Sequence, residues 1–348
     1  MLPISAAEAV SPAINRTRQF LFAPPFQWGT FLKLCLVAAI TEGIGTNFRS
    51  AFNNKSHSAS SVPGQVIFHF TPEMIAAIVF GSLLAIVIVI ALAYLVTRLR
   101  FAYFYCLVTN TRQIRPGWNI YREQANRFFW MNIAVGICFL LMIGLMIIPF
   151  APGFMRLFRE MQAGGGPDVP LLISLVLPLI PIMLLIILVA VLLDIILRDW
   201  MLPHYALENA TAGQAWAAVW ERIRSEKGSF FVYTLLRLVL PVVAAMGIFI
   251  VLLIPMLVLL GSVAAVEWGI HAAFASTGGL SGLMGVILEV FVGLVALGFA
   301  IVIGISIGGP ISTAIREYAL VFYGGRYQTL GDVLFPPAPQ IMGGAPAD

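Results

Sequence analysis

Six long apolar stretches occupy most of the chain, at about Trp28–Ile44, Met74–Thr97, Phe128–Phe150, Leu171–Leu197, Phe230–Gly261 and Leu283–Gly309. A hydrocarbon core about 30 Å thick takes about 20 apolar residues to cross as helix, and five of these stretches exceed that comfortably. The pattern specifies an all-α integral membrane protein with six transmembrane helices. The first stretch is the weakest: Lys33 interrupts it, and Thr41 and Glu42 follow closely. A re-entrant or interfacial segment is the alternative reading there, and the even span count demanded by the charge pattern decides for a span.

That charge pattern is the second constraint. Only 10% of the residues are charged, 60% are hydrophobic, and the mean hydropathy is +0.95, outside the range of soluble domains. The net charge of +4 does not mark a nucleic-acid binder, because of where the charges fall. Arg98, Arg100, Arg112, Arg115, Arg122 and Arg127 fill the second gap between stretches, and Arg198, Arg222, Arg224 and Lys227 fill the fourth. With Arg16, Arg18, Arg316 and Arg326 at the two ends, fourteen of the twenty basic residues lie on one side. The alternate gaps hold only Arg49, Lys55, Arg156 and Arg159. This positive-inside asymmetry places both termini and the even gaps in the cytoplasm. The basic gaps are expected to rest on anionic lipid headgroups. No basic start, apolar core and small-residue cleavage site appear in succession at the N-terminus, so the first stretch is read as retained. Cys35, Cys106 and Cys138 lack C-x-x-C spacing and read as free thiols.

An internal repeat organises the stretches. Setting Arg100 on Arg198 brings Trp118 onto Trp216 without a gap, RFAYFYCLVTNTRQIRPGW over RDWMLPHYALENATAGQAW. The same frame from Arg316 reads REYALVFYGGRYQTLG and matches Tyr205 with Tyr323. Thr211 with Gln214 forms a capping-box signature ahead of Trp216, Val219 and Trp220; Pro116 and the Ser11–Pro12 pair supply comparable helix starts. Each start opens a short amphipathic helix expected to lie flat at the cytoplasmic interface. The expected architecture is therefore three helical-hairpin repeats, about 11–100, 116–201 and 211–318, each preceded by an interfacial helix. Together they make a single membrane domain over residues 1–334, with a disordered tail, Phe335–Asp348.

An interfacial helix before each hairpin, the Ala215–Trp216 dipeptide and the segment FFVYTLLRLVL in the fifth stretch resemble a group of poorly characterised bacterial membrane proteins. That group is related to the membrane domain found beside glycerophosphoryl diester phosphodiesterases. The resemblance implies a six-helix membrane module of the bacterial inner membrane. It carries over no active-site residue, since nothing here matches the soluble phosphodiesterase domain.

Ionisable groups within the stretches are the first candidates for function, because charge in hydrocarbon is costly. Lys33, Asp194, Arg198 and Arg237 are expected to form one intramembrane polar cluster. In it, Asp194 pairs with Arg237 or Arg198 and Lys33 reaches to the headgroups. Glu289 is a lone acid near the outer end of the last stretch. Gly304-x-x-x-Gly308 permits close helix contact, inside the chain or at a homodimer seam. Tyr103, Phe104, Tyr105, Phe128, Phe129, Trp130, Trp216 and Trp220 read as an interfacial aromatic belt. His57, His69, His204 and His271 have no metal-ligand spacing, and no H-E-x-x-H, nucleophile elbow or P-loop is present. No catalytic residue, cofactor or metal is assigned. The functional expectation is a non-enzymatic membrane scaffold or partner subunit, binding membrane lipids and a protein partner or a second copy, with no role for nucleic acid. A small transporter or channel for a solute or lipid is the alternative, and an accessory to a lipid-headgroup enzyme the third.

Overall fold

The computed structural model describes residues 4–43, 72–162, 169–274 and 280–336, and these are helical apart from short turns. In chain order the helices are α1 (Val10–Phe22), α2 (Trp28–Ala38), α3 (Pro72–Thr109), α4 (Ile114–Ile120), α5 (Arg122–Ile147) and α6 (Ala151–Gln162). After these come α7 (Val169–Ile195), α8 (Leu202–Leu207), α9 (Ala212–Ser225), α10 (Lys227–Phe274), α11 (Leu280–Gly324) and α12 (Gln328–Leu334). Single π-helical turns extend α2 over Ala39–Gly43 and join α7 to α8 over Ile196–Met201.

Five helical segments are long and apolar enough to cross a membrane: Ala76–Thr109, Arg122–Glu160, Leu172–Leu207, Lys227–Phe274 and Gly282–Gly324. The protein is a multi-pass membrane protein. These helices outrun the apolar stretches that seed them. The last stretch does not end at Gly309, because α11 continues through Pro310 to Gly324. The Val263–Gly279 gap, read from sequence as a loop, is helix as far as Phe274. It continues the fifth stretch with Ala264, Ala265 and Glu267, good helix formers, and hydropathy alone does not register that. At 48 residues α10 is about 72 Å long, more than twice the depth of a bilayer core. In the next hairpin inward, the gap after Phe150 likewise holds α6, whose Gly153 lies against Leu175 of α7. Residues 49–71 and most of the tail lie outside the described residues.

The chain forms two compact units. The first takes the described residues of 1–85, 103–114 and 228–348; the second takes 86–102 and 115–227. In both, the core lies at the basic ends of the long helices and not along their apolar middles, where no residue of the most hydropathic window is buried. In the first unit, Tyr103, Phe104, Cys106 and Leu107 of α3 are buried, as are Tyr318 to Tyr323 of α11. There Tyr233 stacks on Phe322 at 4.3 Å between ring centres and on Tyr318 at 5.1 Å. In the second unit Phe128 packs edge-on against Phe101 and Tyr205, with Trp200, Met201 and Leu202 buried nearby in sequence. Tyr103, Phe104, Phe128 and Phe129 are thus core residues, which corrects the belt reading; Trp130, Trp216 and Trp220 keep exposed faces.

The short helices obey their sequence signals. Thr211 caps α9 in an extended conformation, and Gln214 accepts the Thr211 N–H at 3.0 Å, completing the capping box. Asn110, directly after α3, takes the left-handed conformation (φ 52°) in which asparagine commonly ends a helix. The apolar stripe of α1, formed by Ala13, Thr17, Phe20 and Leu21, is buried, and the helix packs on α11. Protein covers that face of α1. α2 also packs on α11, burying Phe31, Leu34, Cys35, Val37 and Ala38.

The close approach between α2 and α11 falls at Gly309. A β-carbon there would collide with Cα and Cβ of Cys35. Gly304 and Gly308 have open space in the same position, so the G-x-x-x-G pair is not where the helices within this chain meet. Replacing Gly309 by Leu should therefore cost about 1–3 kcal/mol through overpacking. Gly304→Ala should be neutral, or stabilising by about 0.5–1 kcal/mol, since it restores helix propensity at no steric cost. Thermal unfolding of the two variants in detergent measures the difference.

Candidate functional site

At the basic end of the first unit, Arg16 of α1 is the centre of a polar network. Its Nε donates to Oε2 of Glu317 at 2.9 Å, its Nη1 to the carbonyl of Leu334 at 2.8 Å, and its Nη2 to the carbonyl of Leu107 at 3.1 Å. Leu334 is the last residue of α12 and Leu107 lies in the last turn of α3, positions whose carbonyls have no partner within the helix. One guanidinium thus neutralises a carboxylate that is only 1% exposed and caps two helix C-termini. Arg112 does the same for α1, donating to the carbonyls of Phe20, Ala23 and Pro25 at 2.9, 2.7 and 3.3 Å. Arg326 donates to the Ile4 and Phe322 carbonyls and lies over the Phe322 ring at 4.1 Å. Cations at helix C-termini also oppose the negative end of the helix dipole.

A second carboxylate lies in the π turn after α2. Glu42 is almost fully buried, with Oε2 at 3.7 Å from Nη2 of Arg237 and Oε1 at 4.0 Å from Nε of Arg316. π turns are local distortions that re-aim a side chain, and this one sits where the buried acid is placed. The hydroxyls of Tyr103 and Thr313 share a hydrogen bond at 2.7 Å, and the Thr313 hydroxyl also donates to the Gly309 carbonyl. Arg16, Arg237 and Arg316 thus stand with Glu42 and Glu317, and positive charge predominates among these described groups.

The second unit has its own set. Nη1 of Arg198, a buried residue, donates to Oδ2 of Asp194 one turn earlier at 3.0 Å. Buried His204 has Nδ1 at 2.9 Å from Oε2 of Glu208 and Nε2 at 3.5 Å from Nη1 of Arg222. A guanidinium only donates and a carboxylate only accepts, so the pair of contacts selects the neutral imidazole with its proton on Nδ1. Arg98 donates to the Trp118 carbonyl at 3.0 Å and covers the Trp118 ring at 4.2 Å.

The polar cluster expected from sequence is thus divided. Asp194 and Arg198 pair in the second unit, whereas Arg237 belongs to the first and faces Glu42. Lys33 is exposed on α2. A helical turn fixes the Asp194–Arg198 pair locally, whereas the partner of Arg237 lies 195 positions away and no local pattern names it. Glu289 is not a lone acid: Oε1 stands 3.4 Å from Nδ1 of His271, and both line an open cleft of about 540 Å³ with Glu267 and Trp268. Sequence reasoning missed Glu317, the fully buried Asp199 beside Arg198, and Arg16. The first two had a signal, because each directly follows the arginine of the repeat frame (Arg316–Glu317, Arg198–Asp199) where the first copy has Phe101. Among the described residues no group of three or more His, Cys, Asp or Glu is arranged to hold a metal ion.

Removing Arg16 strands a buried carboxylate and two carbonyl rows. Arg16→Ala should cost about 3–5 kcal/mol. Arg16→Lys should recover only part of it, because an ammonium cannot serve three divergent acceptors as a planar fork does. Combining Arg16→Ala with Glu317→Gln should recover more than Lys does if the charge dominates, and less if the capping does. Arg112→Ala, which removes capping alone, should cost about 1.5–3 kcal/mol. Unfolding midpoints in detergent rank the four.

No curated protein and no solved structure matches the chain. A family model matches residues 4–333, nearly the whole length and every arginine and carboxylate of both polar networks. By that match the chain belongs to the family described as a family of unknown function, DUF7544.

Proposed function

We propose that this protein is a non-enzymatic scaffold or partner subunit of the cell membrane, with six spans in three hairpin repeats and both termini cytoplasmic. The observation that carries the reading is where burial falls. The apolar windows of the five long helices are uncovered within the chain, whereas the core and its arginine networks hold the helices at their basic ends. A protein built this way fixes the positions of its spans and leaves their flanks to lipid and to the helices of a partner. The repeat is supported by three buried segments, around Phe101–Val108, Arg198–Ala206 and Ile315–Tyr323, which fall at matching positions in the frame of Arg100, Arg198 and Arg316. The basic side chains committed to these ends support a cytoplasmic placement. The resemblance to bacterial membrane proteins supports the inner membrane.

A second reading, a small transporter, is favoured by the open cleft at Glu289, His271 and Glu267. It predicts that Glu289→Gln abolishes an uptake activity while leaving stability unchanged, and the scaffold reading predicts no such loss.

Photo-crosslinking in native membranes tests the scaffold. Benzophenone side chains at Leu84, Leu141 and Leu257, all exposed on long helices, should give discrete adducts above the 37.9 kDa chain. Adducts to lipid alone at all three sites would refute a partner. In a Cys138→Ala background, Ser60→Cys and Ser276→Cys should react with a membrane-impermeant maleimide added outside, and Thr111→Cys should not. Protection of Ser60→Cys would remove the first span.

A further inference from the structure

We propose that a cleft between α10 and α11 holds one acyl chain of an anionic phospholipid. The cleft is open, offers about 500 Å³ and is lined by apolar side chains, from Ala245, Ile248 and Leu252 to Leu260 on α10, with Gly304 and Gly308 opposite on α11. Both helices belong to the first unit. The lining on α10 runs over sixteen residues, from Ala245 to Leu260, a length of about 22 Å, which exceeds the roughly 15 Å depth of one leaflet. The two glycines make the groove: neither has any neighbouring atom where a side chain would begin, so their absent side chains are its width.

Size selects the occupant. A second copy's helix, about 10 Å across, laid along that length would displace on the order of 1,700 Å³. The cleft offers less than a third of that space, which suits a single hydrocarbon chain. Charge selects the headgroup. Arg237 lies eleven residues before Ile248, three turns away on the same face of α10, and Arg316 lies two turns beyond Gly309. These two guanidiniums converge on Glu42 at the basic end of the pair of helices, and the Arg237 side chain retains 13% exposure. A phosphate at that end of an acyl chain meets the Arg237 and Arg316 guanidiniums beside Glu42. This inference does not depend on whether the spans recruit a protein partner.

The test uses the full-length protein, purified in mild detergent and examined by native mass spectrometry with lipid extraction. The wild type should retain one phospholipid per chain, enriched in phosphatidylglycerol over phosphatidylethanolamine. Gly304→Leu with Gly308→Leu fills the groove from a side with open space, and should lower the bound fraction about tenfold or more, a loss of about 1.4 kcal/mol in binding, with circular dichroism unchanged. If the double variant fails to fold, Leu252→Trp fills the groove from the facing wall and should give the same loss. Arg237→Gln should keep a bound lipid but lose the preference for the anionic headgroup. Equal lipid retention in the filled variants, or no retained lipid in the wild type, overturns the proposal. So does a wild-type dimer that the filled variants convert to monomer, which would make a second copy the occupant.

Discussion

The contact between Arg16 and Glu317 sets the terms for the first unit. A carboxylate at 1% exposure is tolerable only with a cation and hydrogen bonds in place. The guanidinium that reaches it also closes the last turns of α3 and α12 through Leu107 and Leu334. Docking α1 on α11, ending α3 and seating α12 are thereby one event, because each depends on the same guanidinium. Arginine suits this position where lysine would not: its donors point in several directions in one plane, and three acceptors from three segments use them. The capping of α1 by Arg112 then fixes the helix that carries Arg16.

The position of the core follows from where the hydrophobic effect acts. Apolar surface gains by leaving water, but gains nothing by exchanging lipid tails for Leu or Val side chains. The middles of the long helices carry such side chains and are uncovered, while the aromatic residues beyond them, next to arginines, pack into dense clusters. Helices of 38, 48 and 45 residues are long enough to serve both solvents. The arginines that read as a topology signal therefore have a second task. They satisfy helix-end carbonyls and cover aromatic rings at the boundary where the packing changes character.

Local physics made parts of this legible. The Thr211–Gln214 capping box, the pairing of Asp194 with Arg198 one turn apart, and the helical nature of the apolar stretches among the described residues depend on residues within a few positions of each other. The partner of Arg237 was not legible, nor that of Glu289, because Glu42 and His271 lie in segments that hydropathy classed as a span edge and a loop. Gly309 escaped notice for a related reason. It is the glycine after the motif, and which glycine meets a neighbour depends on the rotation of α11 about its axis, a quantity no spacing rule supplies.

By itself, the order of residues determined that the chain is helical and multi-pass, where its basic ends lie and where its short helices begin. Hydropathy, charge asymmetry and capping act over a turn or a span, and those distances are written directly in the sequence. Only the tertiary structure decided that half of the aromatic belt is core, that α1 is covered by α11, that the expected polar cluster divides between two units, and that Gly304 and Gly308 border a cleft while Gly309 makes the contact. Each of those outcomes depends on the pairing of segments distant in sequence. Apolar helices of similar composition offer many such pairings of nearly equal hydrophobic gain, and the choice among them falls to a few buried charges and to close contacts such as that of Gly309, which leaves no room for a β-carbon.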